Sequence, residues 1–123
     1  MTTRGQYVAL IIWTAAFLIG AANHGRDIAA GGWLPYRFAP LGCNVFWTML
    51  LPVDLAVVAL LWLRRPVGLW LGVAVMIADV GVNSWVIYDR GIAALASSLQ
   101  LQSLFLGFVL GSIAWLLPSR VRS

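Results

Sequence analysis

The chain has 123 residues, 62% of them hydrophobic and only 10% charged, against roughly 45–50% and 25% in soluble domains. Eight arginines and four aspartates, with no lysine and no glutamate, are too few to clothe a core in water, so a soluble fold is excluded and a membrane is implied. Nucleic-acid binding is excluded as well, because the arginines behind the net charge of +4 are scattered and form no basic face.

A bilayer core about 30 Å thick asks for about 20 apolar residues per helix, and the chain contains four such runs. The expected fold is an all-α integral membrane domain over residues 1–123, an antiparallel bundle of four transmembrane helices. The first span is expected over 7–22, ending at the polar Asn23-His24-Gly25-Arg26-Asp27, with an outer loop over 23–40. The second, 41–63, ends at Arg64-Arg65-Pro66, a connection so short that the third, 67–88, must run antiparallel beside it. Asp89-Arg90-Gly91 turns the chain into the fourth span, 95–117, whose tail carries Pro118, Arg120 and Arg122. Residues 1–22 also have the features of a secretory signal, with Arg4 ahead of the apolar run and Gly20-Ala21-Ala22 at its end. The segment is read here as the first helix of the bundle.

Arg4, Arg64, Arg65, Arg120 and Arg122 fall on one side of this map, and Arg26, Arg37 and Arg90 on the other. The positive-inside rule then places both termini in the cytoplasm. Tyr7, Trp62, Trp70 and Trp115 would form an inner aromatic belt, and Trp33, Tyr36, Trp85 and Tyr88 an outer one, while Trp13 and Trp47 fit neither. Arginine without lysine, among abundant Ala, Gly, Leu and Val, suggests a GC-rich bacterial genome and hence a bacterial inner membrane.

Asp54 and Asp79 fall in the middle of the second and third spans, where a carboxylate costs about 2.5–3.5 kcal/mol to insert. At a rise of about 1.5 Å per residue, Asp54 lies about 3 Å to the inner side of its span's midpoint and Asp79 about 2 Å to the outer side of its own, so the two share nearly one depth. No basic side chain lies within a span to neutralise them, which suits the pair to holding a proton or a cation, with acid and base roles if chemistry occurs. Trp47, two turns before Asp54, and Asn83, one turn after Asp79, share their faces. The expected pocket has Trp47, Met76, Trp13 and Phe105 as walls, with Asn44, Asn83, Gln100 and Gln102 towards its outer mouth. For Gln100, Gln102 and Ser103, hydrogen bonds between helices are the alternative role. Gly68-x-x-x-Gly72 and Gly107-x-x-x-Gly111 read as packing seams, within one chain or between two. A lone Cys43 and a lone His24 give no metal-ligand spacing, and no motif implies a cofactor.

His24 and Asp27 at the end of the first span, Leu34-Pro35 and Pro40 in the loop, and Cys43 followed by Pro52 in the second span resemble the emopamil-binding and sigma-2-receptor (EXPERA-like) superfamily over about residues 17–63. The resemblance implies a membrane bundle of four or five helices, commonly dimeric, that binds sterols or lipophilic amines in an acidic intramembrane pocket and in some members isomerises a sterol double bond. It would make Asp27 the family's aspartate at the end of the first helix and His24 its nearby histidine. This chain has Asn44 where that family usually has a glutamate after the cysteine, and Asp54 and Asp79 have no counterpart there.

Three functions stay open. The first is a pocket that binds a small lipophilic molecule such as a terpenoid, sterol-like lipid or hydrophobic amine, with Asp54 and Asp79 as acid and base if the guest is isomerised or cyclised. The second is a proton-coupled transporter of organic cations working as a homodimer, and the third a non-catalytic accessory subunit of a larger membrane complex.

Overall fold

The computed structural model describes residues 2–121, with side chains described as far as Pro118. It contains four long helices and, among the described residues, no strand: α1 (Arg4–Gly31), α2 (Leu41–Trp62), α3 (Pro66–Arg90) and α4 (Ala96–Val121), the last preceded by a 3₁₀ turn, Ala93–Leu95. All four are long and apolar enough to cross a membrane. Their outward faces are apolar too, with Ile11, Leu55, Ile77 and Leu104 all exposed, the pattern of helices whose solvent is hydrocarbon.

Each boundary has a local cause. Thr3 caps α1 with its hydroxyl on the Gln6 N–H while the Gln6 side chain accepts from the Thr3 N–H, so two of the orphan donors at the helix start are satisfied together. The helix runs nine residues beyond the expected end at Ala22, through Asn23 to Gly31, and shortens the loop to residues 32–40. Polarity ends a hydrocarbon span, but only a breaker ends a helix. The breaker is Gly32, whose φ of 77° takes the chain out of the helix. At 28 residues, α1 is about 42 Å long, more than a hydrocarbon core requires, so its polar last turns have room to project beyond it. Pro66 opens α3 at the position where its missing N–H costs nothing, and Gly91 closes it in a left-handed conformation with its N–H on the Ile87 carbonyl.

Consecutive helices pack against each other, and α4 returns to touch α1 only sparingly. The α1–α4 contact lies at the end of the bundle where α1 begins and α4 ends, where Gln6 Nε2 donates to the Trp115 carbonyl at 2.8 Å and Trp13 Nε1 to Ser112 Oγ at 2.9 Å. Trp13, Leu10, Leu61, Leu69 and Leu116 are fully buried there. The first glycine pair is a seam inside the chain: Gly68 sits against Leu60 and Leu61 of α2, and Gly72 against the rings of Trp13 and Phe17 of α1. Gly107 and Gly111 have open space where a side chain would project. At the opposite end of the bundle, near loop 32–40, α1 and α4 stand apart and a cavity opens between them.

Candidate functional site

The cavity, about 810 Å³, takes one face from every helix. On α1 the face is Phe17, Gly20, His24 and Asp27, whose three-four-three spacing stacks them along one side of the helix. Trp47 and Asp54 of α2 are two turns apart, Met76, Asp79 and Asn83 of α3 follow at three and four, and α4 adds Gln102 and Phe105. Ile19 of α1 and Leu101 of α4, both well exposed, border it on its open side, which therefore faces whatever surrounds the bundle laterally.

The acidic floor rests on a glycine. A Cβ at Gly20 would lie 2.7 Å from Oδ2 of Asp54, so the absence of a side chain there lets the carboxyl reach across to α1. Asp54 is only 5% exposed and receives no hydrogen bond from the described residues. Asp79, 8% exposed, accepts one from Asn83 Nδ2 at 3.3 Å. Asn83 in turn accepts from Trp47 Nε1 at 2.8 Å and donates to Gln102 Oε1 at 2.6 Å, which braces α2, α3 and α4 around the cavity. Buried polar groups are normally paired, so a carboxyl that lines the cavity with no donor among the described residues marks the site.

The loop closes one end. Tyr36 donates its hydroxyl proton to Asp27 Oδ2 at 2.8 Å, contacts His24 Nδ1 at 2.7 Å, and sets its ring edge-on to Trp47 with centroids 5.3 Å apart. Burial, reinforced by the hydrogen bond to Asp27 and by the charges of Asp27 and Asp79, raises the Tyr36 phenol far above its ordinary value and keeps it protonated.

Of the residues expected at the pocket, Asp54, Asp79, Trp47, Asn83, Met76, His24 and Asp27 line this one cavity, together with Gln102 and Phe105. Three others lie elsewhere. Trp13 is sealed in the packed half of the bundle, held by Ser112, and Phe17, one turn further along α1, occupies the wall expected of it. Gln100 lies on a shallow outer groove beside Tyr88 and Ser103, because α4 turns Gln102 inward instead. Asn44 is buried under the loop, where its Oδ1 accepts the Tyr36 N–H at 3.0 Å and its Nδ2 donates to the Leu34 carbonyl at 2.9 Å. Asn44→Leu leaves both loop groups unsatisfied, so it is expected to cost about 1–3 kcal/mol and to speed hydrogen exchange at the Tyr36 amide; unchanged exchange there would refute the pinning role.

Besides Phe17, two contributors escaped the sequence reading. Tyr36 was expected in an outer belt, and its partnership with His24 and Asp27 depends on a loop path that spacing does not encode. Gly20 did leave a signal, since Trp13, Phe17, Gly20, His24 and Asp27 repeat at four and three residues, the spacing of an inward helix face. Among the described residues no group of three His, Cys, Asp or Glu side chains is placed to hold a metal ion. No protein-family model matches the chain, and no curated protein or solved structure shows significant similarity to it. What fold and site define is therefore a class: a bundle of four apolar helices enclosing an acidic, aromatic-walled cavity.

Proposed function

We propose that this chain is a multi-pass membrane protein that binds a small lipophilic amine in the cavity, with the ammonium group between Asp54 and Asp79. The observation that carries the reading is Asp54: a carboxyl 5% exposed, lining a cavity, with no donor among the described residues. A guest bearing N–H donors and a positive charge satisfies it, and the rings of Phe17, Trp47 and Phe105 suit both an apolar body and a cation. The exposed apolar residues at the lateral opening, Ile19 and Leu101, suit entry from hydrocarbon. In this reading both termini are cytoplasmic, five arginines lie on their side, and the membrane is a bacterial inner membrane. The resemblance to the emopamil-binding superfamily over about residues 17–63 agrees with an amine guest. Isomerisation would need the same carboxyls to donate and accept a proton on an alkene; the unpartnered acceptor favours binding of a cation.

The test is binding of dodecylamine and of dodecanoate to the purified protein, followed by tryptophan fluorescence against protein-free micelles. The amine should bind saturably and the carboxylate should not. Asp54→Asn should weaken the amine about 10–100-fold, the worth of a hydrogen bond to a charged group. Equal binding of both amphiphiles, or amine binding untouched by Asp54→Asn, would refute the reading.

A further inference from the structure

The cavity has a second polar station, one turn above the acidic floor. Tyr36 has a single hydroxyl proton and directs it at Asp27 Oδ2, 2.8 Å away. The 2.7 Å contact between that hydroxyl and His24 Nδ1 must then be donated by the imidazole, since the phenol has no second proton to give. With Nδ1 protonated, a neutral imidazole carries its lone pair on Nε2. His24 lines the cavity, and its Nε2 receives no hydrogen bond from the described residues. Trp47, Asn83 and Tyr36, by contrast, direct their protons at protein acceptors. Beside the acidic floor, where Asp54 has no donor among the described residues and Asp79 a single one, the cavity thus offers a neutral acceptor, His24 Nε2.

The floor and His24 are about one turn apart along α1. Gly20, against which the Asp54 carboxyl rests, and His24 are four residues apart on one face, a rise of about 6 Å. A saturated chain of about four carbons covers that distance.

Resting on the amine reading above, we infer that the guest carries a second hydrogen-bond donor, a hydroxyl or a second amine, about 6 Å from its ammonium nitrogen, and that His24 Nε2 receives it. The site is then selective for amino alcohols or diamines on an apolar body over plain alkylamines. The role of Tyr36 and Asp27 is to fix the imidazole in the tautomer that accepts, as second partners of a histidine commonly do.

The experiment compares dodecylamine, its analogue with a hydroxyl about four carbons from the nitrogen, and the methyl ether of that analogue, at about pH 8, above the ordinary imidazole value of about 6.5. In the unsubstituted protein the hydroxylated analogue should bind about tenfold tighter than the other two, the worth of one well-made hydrogen bond. His24→Asn can still donate to Tyr36 but presents no acceptor at the Nε2 position, and should bring that preference to about unity. His24→Gln reaches the same position with an acceptor oxygen and should keep a preference for the hydroxyl. Absence of the preference in the unsubstituted protein, equal tightening by the ether, or a preference that survives His24→Asn overturns this inference and leaves the amine reading in place. Failure of dodecylamine itself to bind, or binding indifferent to Asp54→Asn, overturns both.

Discussion

Gly20→Leu is expected to weaken dodecylamine binding by about 100-fold or more, the scale of displacing one member of a buried charge pair, while the thermal unfolding temperature stays close to that of the unsubstituted protein. A Cβ at this position would stand 2.7 Å from Asp54 Oδ2, and what must yield is the free end of a side chain. Asp54 can rotate away because no hydrogen bond from the described residues holds it, but in doing so it withdraws the acceptor from the floor of the cavity, and the leucine branches fill the space left. The fold tolerates the change, since the new side chain projects into a cavity and leucine is the better helix former by about 1 kcal/mol. Gly20→Ala should show the same loss in smaller measure. Titration of the amine and a melting curve on one preparation decide the matter: full affinity in Gly20→Leu would mean that the Asp54 carboxyl does not reach the guest from where it now lies.

Gly72→Ala should do the opposite, destabilising the bundle by about 2–3 kcal/mol, with Gly72→Leu yielding no folded protein. Here the Cβ would meet the Trp13 ring at 2.7 Å. That ring is fully buried and tethered to Ser112 through its indole nitrogen, so it cannot swing aside without breaking one of the bonds that join α1 to α4. Close-packed interiors transmit such overpacking as strain. Gly107→Ala and Gly111→Ala are the controls, because each added methyl would enter open space and should leave stability unchanged or slightly raised. Unfolding in detergent, compared across the three alanine variants, is the measurement. Equal stability of Gly72→Ala and Gly107→Ala would refute the packing of the Trp13 ring against Gly72.

The two glycine pairs show where reading a sequence stops. Both have the same spacing on helices of the same kind, yet one is filled by Trp13 and Leu60 and the other faces away from the bundle. Spacing reports that a stripe exists, and rotation about the helix axis decides whether anything covers it. The same holds for the acids. Their burial was legible because a charge deep in an apolar run has a cost that only an interior position relieves. That they line one cavity depended on the neighbouring helices turning those faces inward. Gln100 and Gln102, two residues apart, point the lesson most sharply: a change of about 200° around α4 puts one on an outer groove and the other on Asn83.

Composition and hydrophobic run length by themselves determined the four helices, their order and their antiparallel sense, because each is a one-dimensional property: the number of apolar residues in a row and the shortness of the links between them. Only the tertiary structure decided which wall Trp13 would leave to Phe17, that Asn44 would pin a loop, and that Tyr36 would fold back onto His24 and Asp27. Those choices belong to helix rotation and loop path. They are settled by how side chains from separate helices fill a common volume, and no stretch of chain carries that information alone.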